Sequence, residues 1–507
     1  MARARTALDS HVRIPPDVGE LIGQDHLVHL DHQQCYDALC SRDVRFDGRF
    51  FVGVRTTGIY CRPICPSRTP LSRNVDFYAH PAAAEDAGLR PCRRCRPETA
   101  PGSSDWSGGA AIVERALRLI DEGALDGGPG SGNSVDALAA RLLVGGRHLR
   151  RLFADHVGAA PDAVARSRRA HLAKRLVVET DLRIADIAFA AGFGSVRQCN
   201  DVVRATFHAT PTELRSDRRR QPSGPLRLRL AVRPPFDGTA LLDWFSSRVV
   251  DGLESVGDGR YHRSVCVLDE SGKPQHGSIS LEPQHDHVVL GVDLPPSTSL
   301  GSIVGGARRL FDLSADPDAV DAHLSGDPFL APRVAERPGI RVPGCWSGFE
   351  AAVRAVIGQQ ISVAAARTLL GRVVAAHGHE AFPEPGDLVD APLERLGIIG
   401  RRADTIRTIA GEVIAGDLVL DGSLDHDELV AALLAIPGIG PWSASYVALR
   451  SGEPDAFPAG DLHLRRVLGV DKERDAEAIA EAWRPWRAYA ALHLWNTPMP
   501  LPNGATP

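Results

Sequence analysis

Residues 433–444 read Leu433-Leu-Ala-Ile-Pro437-Gly438-Ile439-Gly440-Pro441-Trp442-Ser-Ala444: an apolar helix end, a hairpin with two glycines two apart, and the proline-led start of a second helix. Glycine at 438 and 440 lets backbone N–H groups approach a phosphate with no Cβ in the way. The N-terminus of the helix that opens at Pro441 presents its partial positive charge to the same anion. A helix-hairpin-helix of this kind grips a phosphodiester backbone without any excess of basic side chains. Further on stands Asp461, in Phe457-Pro-Ala-Gly-Asp461-Leu-His-Leu464. Taken by itself this aspartate reads as a helix N-cap.

Trp442, Tyr446 and Trp495 accompany the hairpin. So do Val356-Ile-Gly-Gln-Gln360-Ile-Ser362, Arg341-Val-Pro-Gly-Cys345, Phe349-Glu350, the run Trp486 to Trp495, and Pro234-Pro-Phe-Asp237 in the strand-rich stretch upstream. From about 226 to 498 the chain resembles the helix-hairpin-helix DNA glycosylases, in particular the AlkA-type alkyladenine branch. The resemblance implies excision of 3-methyladenine and related bases, with Asp461 as the catalytic carboxylate and Gly438 and Gly440 on the DNA backbone. It also implies that Gln360 fills the hole left by the extruded base and that a monovalent cation sits at the hairpin loop. Alkylation at N3 or N7 leaves a purine cationic, so Trp442, Tyr446 and Trp495 can stack on the flipped base through cation–π attraction worth about 0.5–2 kcal/mol each. Core packing is the alternative for each aromatic. Strand-nicking relatives carry Lys where Trp442 stands, so monofunctional hydrolysis is expected. No cysteine follows Cys345, which excludes the iron–sulfur cluster of some relatives. Leu462 replaces a Tyr that better-known members carry in the pocket.

Four of the nine cysteines form two short-spaced pairs, Cys61-x3-Cys65 and Cys92-x2-Cys95, the pattern of a tetrahedral Zn(Cys)4 site; two disulfides or inert thiols are the alternative. Cys35, Cys40, Cys199, Cys266 and Cys345 lack metal spacing and read as buried small hydrophobes. The runs Phe50 to Cys65, Asn74-Val-Asp-Phe-Tyr78 and Arg90-Pro-Cys-Arg-Arg-Cys-Arg-Pro97 resemble the N-terminal domain of Ada-type alkylation-response proteins, over about Cys35 to Glu98. The resemblance implies that a zinc-bound Cys61 thiolate takes a methyl group from a DNA methylphosphotriester, once per molecule. Arg55, Arg62, Arg93, Arg94 and Arg96 surround the cysteines and are candidates to hold neighbouring phosphates or to remain solvated charges.

Between these regions, Ser134 to Phe153 has a serine cap, helical apolar spacing, a Gly-Gly turn and a second helix bearing Arg147, His148, Arg150 and Arg151. A second copy runs from Ile184 to Asn200, with Arg197, Gln198 and Asn200 on its second helix, and is closed by His208-Ala-Thr-Pro-Thr-Glu-Leu-Arg215. The helix Ala163 to Glu179 joins them. The pair resembles the AraC/XylS regulatory domain over roughly 110–215, which implies promoter binding through Arg147, Arg150, Arg197 and Gln198. Where that family usually has an aromatic and then basic residues on the second recognition helix, this chain has Cys199, Asn200, Asp201, Val202 and Val203.

The sequence, 507 residues with 43% hydrophobic and 24% charged, has room for several cores and contains no run of about 18 apolar residues that would span a membrane. Met1 to Leu30 is acidic, without the apolar core of a secretory signal, so a cytoplasmic, nucleoid-associated protein is expected. Through Arg220 there are 32 Lys and Arg against 26 Asp and Glu, a balance of +6, and the remainder carries −11. The basic part suits a polyanion; in the acidic part any DNA contact must be local.

The expected fold is multidomain α+β. It comprises an N-terminal extension over 1–30, a zinc methyl-acceptor domain over 31–100 and an all-α double helix-turn-helix domain over 108–218. An α+β domain over 226–313 and an all-α helix-hairpin-helix domain over 314–500 follow. The Pro-Cys-His-Arg motif of alkylguanine methyltransferases is absent, so no removal of methyl from guanine O6 is expected. The whole resembles a methyl-sensing transcription activator fused to a glycosylase, with double-stranded alkylated and promoter DNA and RNA polymerase as partners. A pure regulator whose C-terminal part only grips DNA, and a structural zinc protein without methyl transfer, remain as alternatives.

Overall fold

The computed structural model describes residues 32–101, 110–127, 132–216, 226–268, 273–295, 298–398 and 400–498. The N-terminal extension over 1–30 and most of the residues between the expected domains over 31–100, 108–218 and 226–313 lie outside these. Among the described residues no helix is long and apolar enough to cross a membrane.

The first unit is a small sheet of β1 (Phe51–Val54), β2 (Ile59–Cys61), β3 (Val75–Tyr78) and β4 (Arg90–Pro91), in the order β3-β1-β2-β4. Phe50, Val52 and Val75 pack with Cys35 and Leu39 of the helix His32–Ser41, while Phe51 and Tyr60 face Ala84. β4 lies parallel to β2, and the Cys92 N–H donates to the Tyr60 carbonyl at 2.9 Å. Strand pairing thus sets Cys92 against the end of the strand that carries Cys61.

Both helix-turn-helix units form, as Val135–Arg141 with Gly146–His156 and as Ile184–Ala190 with Val196–Phe207. Ser134 caps the first unit by accepting from the Ala137 N–H, and Ser195 caps the second recognition helix by accepting from Gln198. The connecting helix starts at Pro161, two residues before its expected start, because proline at the first turn gives up only an N–H that would be unpaired anyway. This helix is buried on nearly all sides. Its Lys174 ammonium meets Glu98 at 2.7 Å, and its His171 meets Glu85 at 2.8 Å. Both carboxylates come from the cysteine-bearing unit, so an ion pair and a histidine–carboxylate hydrogen bond join the two modules where polar side chains are buried.

Next comes an antiparallel sheet ordered β5-β9-β8-β7-β6: β5 (Leu226–Ala231), β6 (Glu254–Gly257), β7 (Arg260–Leu268), β8 (Pro274–Pro283) and β9 (His287–Asp293). Alternate residues of β7 (Tyr261, Arg263, Val265, Val267) point inward, as period-two patterning requires. The helix Gly238–Ser246 stands between β5 and β6 in the chain. One core cluster continues from the second helix-turn-helix through this sheet to Leu313. The boundary expected between the domains over 108–218 and 226–313 therefore does not divide two cores.

From Ala315 onward the core is helical and centred on the buried helix Gly348–Gly358. Within it Glu350 pairs with Arg263 at 2.9 Å and Arg354 at 2.7 Å, and Arg354 also reaches Glu254 at 2.9 Å. Burial alone would raise the Glu350 carboxyl, but the two guanidiniums outweigh it and hold it down at about 2. This charge cluster ties the sheet to the helical core that carries the hairpin.

Candidate functional site

The Sγ atoms of Cys61, Cys65, Cys92 and Cys95 all lie within 4.8 Å of one another. A tetrahedral zinc with sulfur at about 2.3 Å needs sulfurs about 3.8 Å apart, so the cluster fits that ion with small adjustments. The donor chemistry also requires a cation. Left to themselves the thiols cannot all ionise: a hydrogen bond from Cys61 lowers Cys95 to about 6, and the same bond, with burial and the other sulfurs, pushes Cys61 far upward. Cys65 and Cys92 are buried, while Cys61 and Cys95 are partly open to solvent.

Of the surrounding arginines, Arg62 turns inward to Asp47, and Arg96 binds Glu98 and Glu179 while staying partly exposed. Arg55 pairs with Asp76 at 3.0 Å. Arg93 and Arg94, between the two ligating cysteines, are exposed and make no ion pair among the described residues. Two of the remaining cysteines depart from the expected burial. Cys40 is exposed because Cys35, Ala38 and Leu39 take the inward face of its helix, and Cys266 is half-buried on the outer face of β7.

Asp461 caps the helix Leu462–Leu468: the Leu464 N–H donates to its Oδ1 at 3.0 Å, and the Trp495 indole N–H donates to the same oxygen at 3.2 Å. Among the described residues both bonds fall on Oδ1, so Oδ2 is left for something else. Trp442 and Tyr446 stand one turn apart on the helix Pro441–Arg450 and stack with centroids 5.4 Å apart at 14°. Trp495 meets Tyr446 edge-on at 6.4 Å. The expected catalytic carboxylate and all three aromatics thus converge. Leu462, next to the capping aspartate, is 53% exposed.

Gln360 is exposed in the left-handed region, φ +54°, at the tip between the helices Gly348–Gly358 and Val363–His377, a position suited to a side chain that projects outward. Its neighbour Gln359 was missed: its Nε2 donates to the Gly438 carbonyl and to Ser443 Oγ, both at 3.0 Å, and Arg402 donates to its backbone carbonyl. The tip is bolted to the hairpin. The two glycines turn out to differ. Gly438, at φ +100°, packs where a Cβ would lie 2.0 Å from Thr405 Oγ1, whereas a Cβ on Gly440 would meet nothing within 4 Å. A side chain is thus excluded at Gly438 by Thr405 and by the backbone conformation, whereas at Gly440 there is open space beside the backbone.

On the recognition helices, Arg147 and Arg150 are exposed and Arg150 pairs with Asp136 at 3.2 Å. Arg197 faces Asp201 at 3.8 Å with both side chains in solvent, a pair worth under about 1 kcal/mol. Gln198 spends its side-chain oxygen on the Gly194 N–H at 3.0 Å.

Family models match four consecutive stretches: the metal binding domain of Ada over 34–98, a helix-turn-helix domain over 138–217, the AlkA N-terminal domain over 227–347, and the HhH-GPD superfamily of base excision DNA repair proteins over 353–487. The order of modules defines a fusion of a metal-centred DNA-binding regulator with a base-excision glycosylase fold. A Mycobacterium tuberculosis protein, described as a probable bifunctional transcriptional activator/DNA repair enzyme AlkA, is 41% identical over 491 residues, covering 93% of this chain and 97% of its own. The chain belongs to this bifunctional AlkA family, and its four-cysteine cluster is a zinc site. DNA-3-methyladenine glycosylase 2 of Escherichia coli is 33% identical over 279 residues, 52% of this chain and 95% of its own. The bifunctional transcriptional activator/DNA repair enzyme Ada of the same organism is 36% identical over 158 residues, 30% of this chain and 42% of its own.

Proposed function

We propose that this protein both senses and repairs DNA alkylation. Its C-terminal half hydrolyses the glycosidic bond of 3-methyladenine and related bases, and its N-terminal half accepts methyl from DNA methylphosphotriesters and then activates transcription with RNA polymerase at its own promoter, in the cytoplasm. The modules are those read from the sequence, 31–100, 108–218, 226–313 and 314–500. The observation that carries the repair reading is the Asp461 carboxylate, fixed through Oδ1 by Leu464 and Trp495 beside a stacked aromatic pair. Oδ2 stabilises the oxocarbenium-like sugar as the base leaves, and orients the attacking water. Trp442, Tyr446 and Trp495 hold the flipped base, Gln360 occupies its place in the stack, and Gly438 and Gly440 admit the backbone phosphate, with a monovalent cation at the loop. No lysine stands at position 442, so no Schiff base to the sugar forms and abasic sites are left uncleaved.

In the zinc module Cys61, Cys65, Cys92 and Cys95 hold the metal, which supplies the positive charge that keeps the sulfurs ionised at neutral pH. Cys61 Sγ attacks the methyl carbon of a neutral phosphotriester. The S–C bond forms as the C–O bond breaks, and the electron pair leaves on the phosphate oxygen as the diester anion. The product is a thioether, so each chain reacts once. Arg147, Arg150, Arg197 and Gln198 contact promoter DNA.

One incubation with methylated duplex tests all of this. Mass spectrometry is expected to find a methyl group on the Cys61 peptide and free 3-methyladenine in solution, with no borohydride-trapped protein–DNA adduct. Methyl transfer without base release would leave a regulator that only grips DNA, base release without methyl transfer would leave a structural zinc domain, and a trapped adduct would overturn the monofunctional assignment.

A further inference from the structure

The helix Gly238–Ser246 brings the sheet-bearing half against the aromatic pocket, and two positive charges come with it. Arg248 and Arg450 both lie over the Trp244 ring, their guanidinium carbons 4.2 and 4.3 Å from its centroid. Arg450 is buried at the end of the helix that carries Trp442 and Tyr446. It donates to the Pro343 and Gly344 carbonyls at 2.6 and 2.7 Å and to the Tyr446 hydroxyl at 3.0 Å. Arg248 donates to Ser247 Oγ at 2.7 Å. Burial pulls the Arg248 guanidinium down, and Tyr446, Arg450 and Asp461 are the charged or polar groups acting on it. Among the described residues neither arginine has a carboxylate within salt-bridge distance, so their charge is not cancelled locally.

This conflicts with a pocket whose selectivity rests on cation–π attraction alone. A unit positive charge beside the stacking rings repels a cationic purine and leaves an uncharged one unaffected. The Tyr446 oxygen already accepts from Arg450, so its own O–H is directed elsewhere, available to an acceptor on a base edge.

We propose that Arg248 is a specificity-determining residue that shifts the pocket away from cationic alkylated purines and toward uncharged bases with an acceptor edge. The proposal rests on the glycosylase reading above. At an effective dielectric near 20 and roughly 8 Å, less some screening, the charge is worth about tenfold in relative rate.

The test compares kcat/KM on two substrates: methylated duplex DNA, scored for release of cationic 3-methyladenine and 7-methylguanine, and a duplex with one hypoxanthine as the uncharged base. Arg248→Met keeps the stem over Trp244 and removes the charge, and is expected to raise the cationic-to-neutral ratio about tenfold. Arg248→Lys keeps the charge and is expected to hold the ratio near that of the unaltered chain. Partial unfolding would lower both rates together and leave the ratio unmoved. A ratio within twofold in Arg248→Met, or an equal shift in Arg248→Lys, overturns the proposal while Asp461-dependent release persists. Absence of any Asp461-dependent release in the unaltered chain overturns the glycosylase reading and this inference with it.

Discussion

Asp461→Asn is expected to cut release of 3-methyladenine by about two to three orders of magnitude, the effect usual when one group that stabilises transition-state charge is removed. Binding to a duplex that holds a non-cleavable abasic analogue should change by no more than about twofold. The local structure explains why the two separate. Asparagine keeps a side-chain oxygen at Oδ1, so the N–H of Leu464 and the indole of Trp495 retain their acceptor. Asn is also as good an N-cap as Asp, so the helix Leu462–Leu468 should start where it does now. What disappears is the negative charge. Single-turnover base release and fluorescence anisotropy measure the two quantities on one preparation. Unchanged release would remove Asp461 from its role, and a parallel loss of binding would mean that the cap, not the charge, had been damaged.

Much of this site was legible because its signals are local. A glycine hairpin, a capping aspartate and aromatics one helical turn apart are each written within a few residues, and so are two short-spaced cysteine pairs. The groups that went unread act across the chain. Gln359 reaches Gly438 and Ser443 from a different helix, and Arg248 meets Arg450 over Trp244 although some 200 residues separate them. Nothing in their own neighbourhoods marks them. The same distinction explains the arginines of the zinc module. Their clustering in sequence suggested a phosphate-binding face, but Arg62 pairs with Asp47 and Arg96 with Glu179 as well as with the neighbouring Glu98, and Asp47 and Glu179 are partners that only tertiary packing supplies. The stretch over 226–313 read as strand-rich, but nothing in it marks β6, a four-residue edge strand of half-buried and exposed residues that lacks an apolar face to announce it. Continuity of the core across 216–226 could not be seen either, since composition marks where a chain is polar and does not report what its flanks pack against.

Protein methylated on Cys61 is expected to bind its promoter up to about a hundredfold more tightly than unmodified protein at low salt. Four thiolates and one zinc give the cluster a formal charge of −2, and converting Cys61 to a thioether leaves −1. Cys61 is partly open to solvent, and β4, which leads into Cys92, packs against the recognition helix Val196–Phe207, so the cluster's charge acts close to a DNA-facing element. Of the nearby cations, Arg62 pairs with Asp47, Arg96 with Glu98 and Glu179, and Arg197 with Asp201, while Arg68, Arg73, Arg93 and Arg94 are exposed; all of these are the same in both forms, so the difference in affinity follows the one unit of charge removed at Cys61. One unit charge at about 6 Å from a phosphate, at an effective dielectric near 20, is worth about 3 kcal/mol before screening. Added salt shortens the reach of that charge, so the ratio of affinities should shrink as ionic strength rises. Anisotropy titrations of both forms across a salt series measure it. Equal affinities at low salt would rule out the electrostatic switch, and a ratio insensitive to salt would assign the change to a rearrangement of the zinc module against the connecting helix, where Lys174–Glu98 and His171–Glu85 hold the two together.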